Sequence, residues 1–569
     1  MRRWFIQCVM VWFFVGNALG VEYYVDNMNG SDAYDGRSAS RPWKSLDKIR
    51  TTLFTPGDII HLRRGQVWRE TMVMKSSGAP GSPVIVRAYG DGPDPVISGA
   101  VAPSPDQWTD AGSGIFRMDC DWIPQQVFED DRRLAMVAWT TNIETTRQFM
   151  PAGSWTLDKN HRLLYVKTTT GAGPETHLLE ISKLDTGIYN GTGLGNRYNR
   201  FENLHVEKAN QNGLYSGKGS NAIIKNCTFR LNAKNGILIA SSDTVIEECV
   251  AYDNRTGIAS FSFDLLFNLQ IINSCVFENH FWVDGDGIRL EAMRGAVIEN
   301  CHIYNHDNGV HADNIQVAGG SADVTIRHCL IEDGRGIAIT NQAGPVFIAH
   351  NLFQTGRNGT FVGVTVAKDG AGGRVEIAHN SFNHFLNGII IGHAHTEGMI
   401  VENNIFNVAP NTAVLKLSSA ASTPVYLDRN VYHSNGDVII WDDKRYTLST
   451  FGLYQSETGQ DSNSIYLGTT IEYTNIPVNT VVVPTEAKAD LKAAPKDKPA
   501  TGELSTDSGE TRLKTTNFNW HPEPEPNSAS VSGEPTLDDR YWLVPEEPLF
   551  SAERESHSNL PQILLDQYK

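Results

Sequence analysis

The chain has 569 residues, with 48 Lys and Arg against 65 Asp and Glu, a formal charge of −17 and a pI near 5.5. That balance argues against nucleic acid as a partner, because phosphate neutralisation needs a basic face. It leaves an acidic polysaccharide open, since a local basic groove can sit on an acidic protein. The length exceeds one ordinary globular domain and suits a repeat protein with appendages.

In chain order, Arg2 and Arg3 precede an apolar run from Trp4 to Val15 that ends in Gly16-Asn17-Ala18-Leu19-Gly20. This pattern predicts a signal peptide over 1–20, cleaved after Gly20. The run is short for a membrane span, and no later stretch is apolar enough to be one. The mature chain is expected to be secreted, extracellular or periplasmic, without membrane insertion, and monomeric.

Residues 21–195 read as an N-terminal cap and first irregular coils, with irregular strands over about 100–195. Tyr23-Tyr24-Val25-Asp26, Asn29-Gly30-Ser31-Asp32 and Arg41-Pro42-Trp43-Lys44-Ser45-Leu46 are followed by Pro56-Gly57-Asp58-Ile59-Ile60-His61-Leu62 and Gly81-Ser82-Pro83-Val84-Ile85-Val86. With Gln126-Val127-Phe128-Glu129-Asp130-Asp131, these segments resemble the opening part of secreted right-handed parallel β-helix proteins, the pectate-lyase-like carbohydrate-active superfamily. The resemblance covers about residues 22–445. It implies a short helix over Trp43–Thr51 capping the end of the solenoid, where an uncovered coil would expose an unpaired strand edge. The superfamily holds eliminases, glycoside hydrolases, epimerases and non-catalytic spikes, so fold alone does not choose a reaction.

Over 196–484 ten segments repeat one pattern: FENLHV, IKNCTF, IEECVAY, INSCVF, IENCHI, IRHCLI, IAHNLF, IAHNSF, VENNIF and LDRNVY. Aligned on the fourth residue, they place Leu204, Cys227, Cys249, Cys275, Cys301, Cys329, Asn351, Asn380, Asn404 and Asn430 in one column, 22 to 29 residues apart. Such a period is that of a solenoid whose units stack on their neighbours. Short alternating runs of Ile, Val and Phe bounded by Asn, Asp and Gly make the units strands and turns. The expected fold is an all-β parallel β-helix. The column is read as a core ladder of stacked Asn amides and buried, reduced Cys, not as a metal or redox site.

About ten residues after each ladder position comes a second repeat: NGILIA, TGIASF, DGIRLE, NGVHAD, RGIAIT, VGVTVA and NGIIIG. Alternation points the second and fourth residues after Gly outward. The two outward columns then concentrate charge in adjacent coils, with Arg289 and Glu291 beside His311 and Asp313. Asp284, Asp286 and Arg335 lead in, while Asn314, Gln316, Asn341, Lys368 and His393 lie around or just past the strand ends. The bland alternative is a pair of solvated salt bridges, and Asp284-Gly285-Asp286-Gly287 is equally a turn motif.

Two reactions could use this patch. Elimination from a uronate-containing glycan needs a neutralised carboxylate, by Arg289, Arg335 or a Ca²⁺ held by Asp284, Asp286, Glu291 and Asp313, and a base, His311 or Lys368. Asn314, Gln316, Asn341 and His393 would bind sugar hydroxyls. Hydrolysis instead needs two carboxyl groups, and Glu291 and Asp313 are expected in one column of adjacent coils, near the roughly 5–5.5 Å of a retaining pair. The sequence ranks a polysaccharide lyase first and a glycoside hydrolase second. A non-catalytic glycan-binding solenoid would show a stripe of surface aromatics, which Phe261 alone does not make. From about Thr485 to Lys569 the chain is rich in Lys, Asp, Glu, Pro, Ser and Thr and reads as a disordered tail.

Overall fold

The computed structural model describes residues 20–137, 143–191, 195–279, 285–306, 312–341, 343–355, 362–366, 373–392, 398–407, 413–417, 425–434 and 437–467, with three short strands between 482 and 513. The expected signal peptide, save Gly20, and nearly all of the expected tail lie outside the described residues. Three long sheets, each of 13 strands, wind around one core. We name them A, B and C in the order the chain visits them in each coil. Sheet A runs from Glu22–Val25 to Val425–Asp428, sheet B from Val67–Trp68 to Ile465–Leu467, and sheet C from Met72–Met74 to Lys444–Thr447. Apart from the last pair of sheet C, strands within each sheet are parallel. Inward Ile, Val, Leu and Phe make one core along the whole axis.

The corners set the coil. Between sheets A and B the residue before each ladder position is left-handed, from Asn203 and Asn226 through His350 and His379 to Arg429, with φ between 48° and 59°. Asn and His tolerate that region better than most residues. The next side chain turns inward. Asn380 accepts from Asn351 N at 2.9 Å and from its Nδ2 at 3.0 Å, then donates to Ile348 O and Ala378 O. Asn404 and Asn430 repeat the contact. Cys227, Cys249, Cys301 and Cys329 occupy the same corner as buried free thiols.

One position of the expected column is corrected by register. Ile271 pairs with Ile246 and Ile298, so Ser274, not Cys275, stands in the ladder, and its Oγ accepts from Cys249 N. Cys275 pairs with Val250 and His302 on the opposite face of sheet B, buried beside Tyr252 and Phe277. A slip of one residue exchanges the faces of a strand. The corrected register reveals a second ladder, five residues after the first, at the corner between sheets B and C. Asn232, Asn254, Asn279 and His306 each accept from the backbone N–H at the preceding rung.

The regular coils begin at Glu22, well before 196, and are interrupted by an insertion. Residues 100–182 leave the solenoid after the sheet B strand Val96–Ser98 and return before the sheet C strand Thr186–Asn190. They form a four-stranded and a five-stranded sheet with a separate core around Trp108, Trp155, Leu164 and Ile181. The helix expected at Trp43–Thr51 is shorter, Asp47–Thr51, with Leu46 and Ile49 buried in the solenoid core. At the other end, unforeseen in the sequence, helix Phe451–Thr458 buries Phe451 and Tyr454. Tyr432 and Tyr454 donate to the buried Asp461, which also takes the ladder's last Nδ2, from Asn430.

The insertion docks through charge. Lys208, 3% exposed, lies 2.6 Å from both Glu180 and Asp131 and 3.3 Å from Glu207. Arg230 reaches Asp131 and Glu207, and Arg69 reaches Glu180. Burial alone would lower the Lys208 pKa, but Glu207, Glu180 and Asp131 outweigh it and raise the pKa above the ordinary 10.5.

Two outcomes are expected. Asn404→Ala orphans buried partners at about 1–3 kcal/mol each and should lower the urea midpoint clearly, whereas Cys329→Ser should cost less. The raised Lys208 pKa means its docking contribution is intact below pH 10.5 and is lost as pH rises through the folded value. Near-ultraviolet dichroism of the insertion's tryptophans should therefore change in alkali, and Lys208→Met should bring the change to neutral pH.

Candidate active site on sheet C

The candidate site lies on the outward face of sheet C, and its register differs from that expected. Ile288 pairs with Ile315, Arg289 with Gln316 and Glu291 with Ala318. The strand after Ile288–Glu291 is thus Asp313–Ala318, not the NGVHAD segment. Asp313 pairs instead with Arg335, five residues along the strand from the level of Glu291. Glu291 and Asp313 do not share a column, and the retaining pair expected from the sequence is not formed. The connection from His306 to Asn314 is as long as that from Asn279 to Gly287, so Asn314 takes the glycine position, which two similar glycine-containing hexapeptides concealed.

Arg289 organises the first half of the site. Its guanidinium lies 2.5 Å from Glu291 Oε1 and 3.7 Å from Asp286 Oδ2. Asp286, 2% exposed, also accepts from Asp313 N at 3.0 Å. Arg335 Nε lies 3.2 Å from Asp313 Oδ1. Among the described residues the cluster holds three carboxylates and two guanidiniums, an excess of one negative charge. Gln316 stands next to Arg289, and its Oε1 has no hydrogen-bond partner; neither has Thr340 Oγ1.

Asn314 is not a groove residue. It falls in the inward glycine column beside Gly287 and Gly336, is fully buried, and donates to Glu332 O at 3.1 Å. Gly334, which occupies the second-ladder position of its coil, has no side chain there, and a Cβ would meet Asn314 Oδ1 at 2.7 Å. Asn314 thus fills the gap from the preceding coil. Asn341 is exposed at a left-handed turn after its sheet C strand. Asp284, His311, Lys368 and His393 lie outside the described residues.

Of the expected Ca²⁺ ligands, Asp284 lies outside the described residues, and Asp286, Glu291 and Asp313 do not by themselves form a group close enough to share one ion. Asp286, Glu291 and Asp313 are engaged by the two arginines, and the described acidic and histidine groups close enough to share one ion are Glu129, Asp130 and His177 in the insertion. There the buried Glu129 already accepts from Thr169 N and Oγ1, and His177 bonds Asp130.

What sequence reasoning missed on this face is aromatic. Tyr189 and Tyr215 precede Leu238, Ala259, Arg289 and Gln316 in one outward row. They sit in TGIYN and NGLYS, two coils ahead of the first repeat aligned. Phe261 follows Ser260, which pairs with Leu290, so it flanks Glu291, and its ring meets that of Phe263, 91% exposed.

The family described as "Right handed beta helix region" matches residues 176–285 and 268–449. With the three parallel sheets, this gives the chain the right-handed parallel β-helix fold. A stretch of 85 residues is 34% identical to a lacto-N-biosidase of Bifidobacterium longum subsp. longum, covering 14% of this chain and 5% of that one. The chain therefore spans about a twentieth of that relative's length. In fold it is similar to XylC, solved in complex with xylose, at TM-score 0.57 and 13% identity over 81% of this chain and 87% of that one. Pectate lyase Pel9A is also similar, at TM-score 0.38 and 15% identity over 80% and 90% of the two chains. No described helix is long and apolar enough to cross a membrane.

Asn314 and Gln316 separate structure from site. Asn314→Ala should cost about 0.5–1.5 kcal/mol in urea unfolding, since it removes one buried hydrogen bond to Glu332 O, which still accepts from Asn305 N. Gln316→Ala should stay within about 0.5 kcal/mol of the parent.

Proposed function

We propose that the protein is a secreted carbohydrate-active enzyme that hydrolyses a polysaccharide lying across the outward face of sheet C, with Asp286 and Glu291 as its two carboxyl groups. The observation that carries this reading is the single guanidinium of Arg289 standing against both of them. Glycoside hydrolysis needs one carboxyl group to protonate the departing oxygen and another to act on water or on the sugar. The guanidinium between them keeps them out of mutual contact. Their separation would set the stereochemistry, roughly 6.5–9.5 Å for inversion and roughly 5–5.5 Å for retention. The name of the lacto-N-biosidase relative points to hydrolysis as well. The signal-like N-terminus supports secretion.

Elimination is the second reading. Arg289 and Arg335 both project from this face, and either would neutralise a uronate, with His311 or Lys368 as base. It falls behind because each arginine already faces a carboxylate of its own and the described cluster carries an excess negative charge. A polyanion gains little there. Ca²⁺ bound with the help of Asp284 would reverse that balance, and a chelator would then abolish activity.

The test is a screen of neutral and acidic polysaccharides that follows reducing ends together with the ultraviolet absorbance of unsaturated uronate. Reducing ends without absorbance are expected. Absorbance in step with cleavage would establish elimination instead, and retention of a glycan without cleavage would make the protein a binding solenoid. Glu291→Gln and Asp286→Asn should each lower turnover by about 10²–10⁴, with the melting temperature of Glu291→Gln unchanged.

A further inference from the structure

Resting on the glycan-cleaving reading above, we infer that the substrate extends from the ionic cluster toward the N-terminal coils, where Tyr189 and Tyr215 form a sugar-stacking subsite. Three observations carry this. First, the described aromatic side chains in the outward row of sheet C lie to one side of the cluster. Tyr189 and Tyr215 share the row of Arg289, with ring centroids 5.2 Å apart. On the other side the same row continues through Gln316, Ala338, Thr365 and Ile390, without an aromatic group among the described residues.

Second, the row between the tyrosines and the cluster is low. Leu238 and Ala259 separate Tyr215 from Arg289, so the two lie three rungs apart, about 14 Å at the usual strand spacing. That floor holds no charged side chain, and its length suits a short run of sugar units.

Third, the described residues wall the groove along these coils. The insertion follows the corner that leads into sheet C over three successive coils. Gln126 Nε2 donates to Ala209 O and Leu231 O, and Arg133 donates to Asp253 O. Across the strands, Phe261 and Phe263 form a lip beside Glu291, at 45% and 91% exposure. Aromatic faces at the floor and lip and polar groups at the cluster match a pyranose chain, which presents C–H faces to rings and hydroxyls to side chains. The occupant is therefore the glycan itself, running between the insertion and the aromatic lip. Gly217 keeps the floor open beside Tyr215, since a Cβ there would lie 2.8 Å from its ring.

The test measures binding by calorimetry for graded oligosaccharides, disaccharide to hexasaccharide, of xylan, oligogalacturonate and oligomannuronate, together with lacto-N-tetraose. The proteins are the parent, the double variant Tyr189→Ala/Tyr215→Ala, Tyr215→Phe, and Glu291→Gln to suppress turnover. The double variant should lose at least tenfold in affinity for the longest oligomer that binds the parent, and little for the disaccharide. Tyr215→Phe should keep the parent's affinity, because stacking uses the ring and not the hydroxyl. In turnover the double variant should raise KM for long chains and leave kcat for short ones unchanged. Equal affinity of parent and double variant for every length, with cleavage retained, would overturn the subsite and leave the hydrolase reading standing. Loss of affinity that is the same at every length would also overturn it. Parent protein that neither binds nor cleaves any of these glycans, nor any polysaccharide in the wider screen, would overturn the functional reading and the subsite together.

Discussion

Vertical register between coils is the constraint on which everything else in this protein depends. Each coil turns at a left-handed residue, and the next side chain is driven into the interior, where it must bond the backbone of the neighbouring rung. A buried amide placed one residue away would face solvent and leave its partners unpaired, at a cost of about 1–3 kcal/mol for each orphaned group. The amides pin one corner in the early coils, through Asn232, Asn254 and Asn279, and the other in the late coils, through Asn351, Asn380, Asn404 and Asn430. Together they fix which side chains of sheet C face outward.

The site follows from that parity and from one irregularity, a long connection into sheet C in two successive coils. Being equally long after Asn279 and after His306, it places Gln316 beside Arg289, and Asp313 stands beside Arg335. The charges are thereby grouped as two arginine-centred sets at different heights along the strands. Asn314 belongs to the same irregularity. A side chain in the inward glycine column is tolerated because the following coil offers Gly334 where its predecessors carry Asn or His.

The insertion gives the solenoid face a direction. A bare sheet of stacked rungs is nearly uniform along its axis. By docking residues 100–182 along the corner of the early coils through Lys208, Arg230 and Arg69, the chain encloses one half of the groove and leaves the other without that wall. Buried charges of this kind are costly to desolvate and are tolerated here because Lys208, Arg230 and Glu180 each find more than one opposite partner.

The fold was legible in the sequence because inward hydrophobes and ladder residues recur in every coil, and repetition of a local pattern needs no knowledge of distant contacts. The ladder of Asn351 to Asn430, the buried free thiols and the parallel coils all follow from it. The slip at Cys275 was not legible, because Ser274 and Cys275 fit the pattern equally well and only pairing of Ile271 with Ile246 and Ile298 separates them. For the same reason the sequence named Arg289, Glu291, Asp286, Asp313, Arg335 and Gln316 as neighbours but misplaced their rows. Residue type and period determined that charge gathers on the middle coils of one sheet. Tertiary structure alone decided which carboxylate meets which arginine, that Asn314 turns inward, and that Tyr189 and Tyr215 share a row with Arg289. Those outcomes depend on the length of each connection between rungs, and loop length changes register without leaving any mark on the repeating pattern itself.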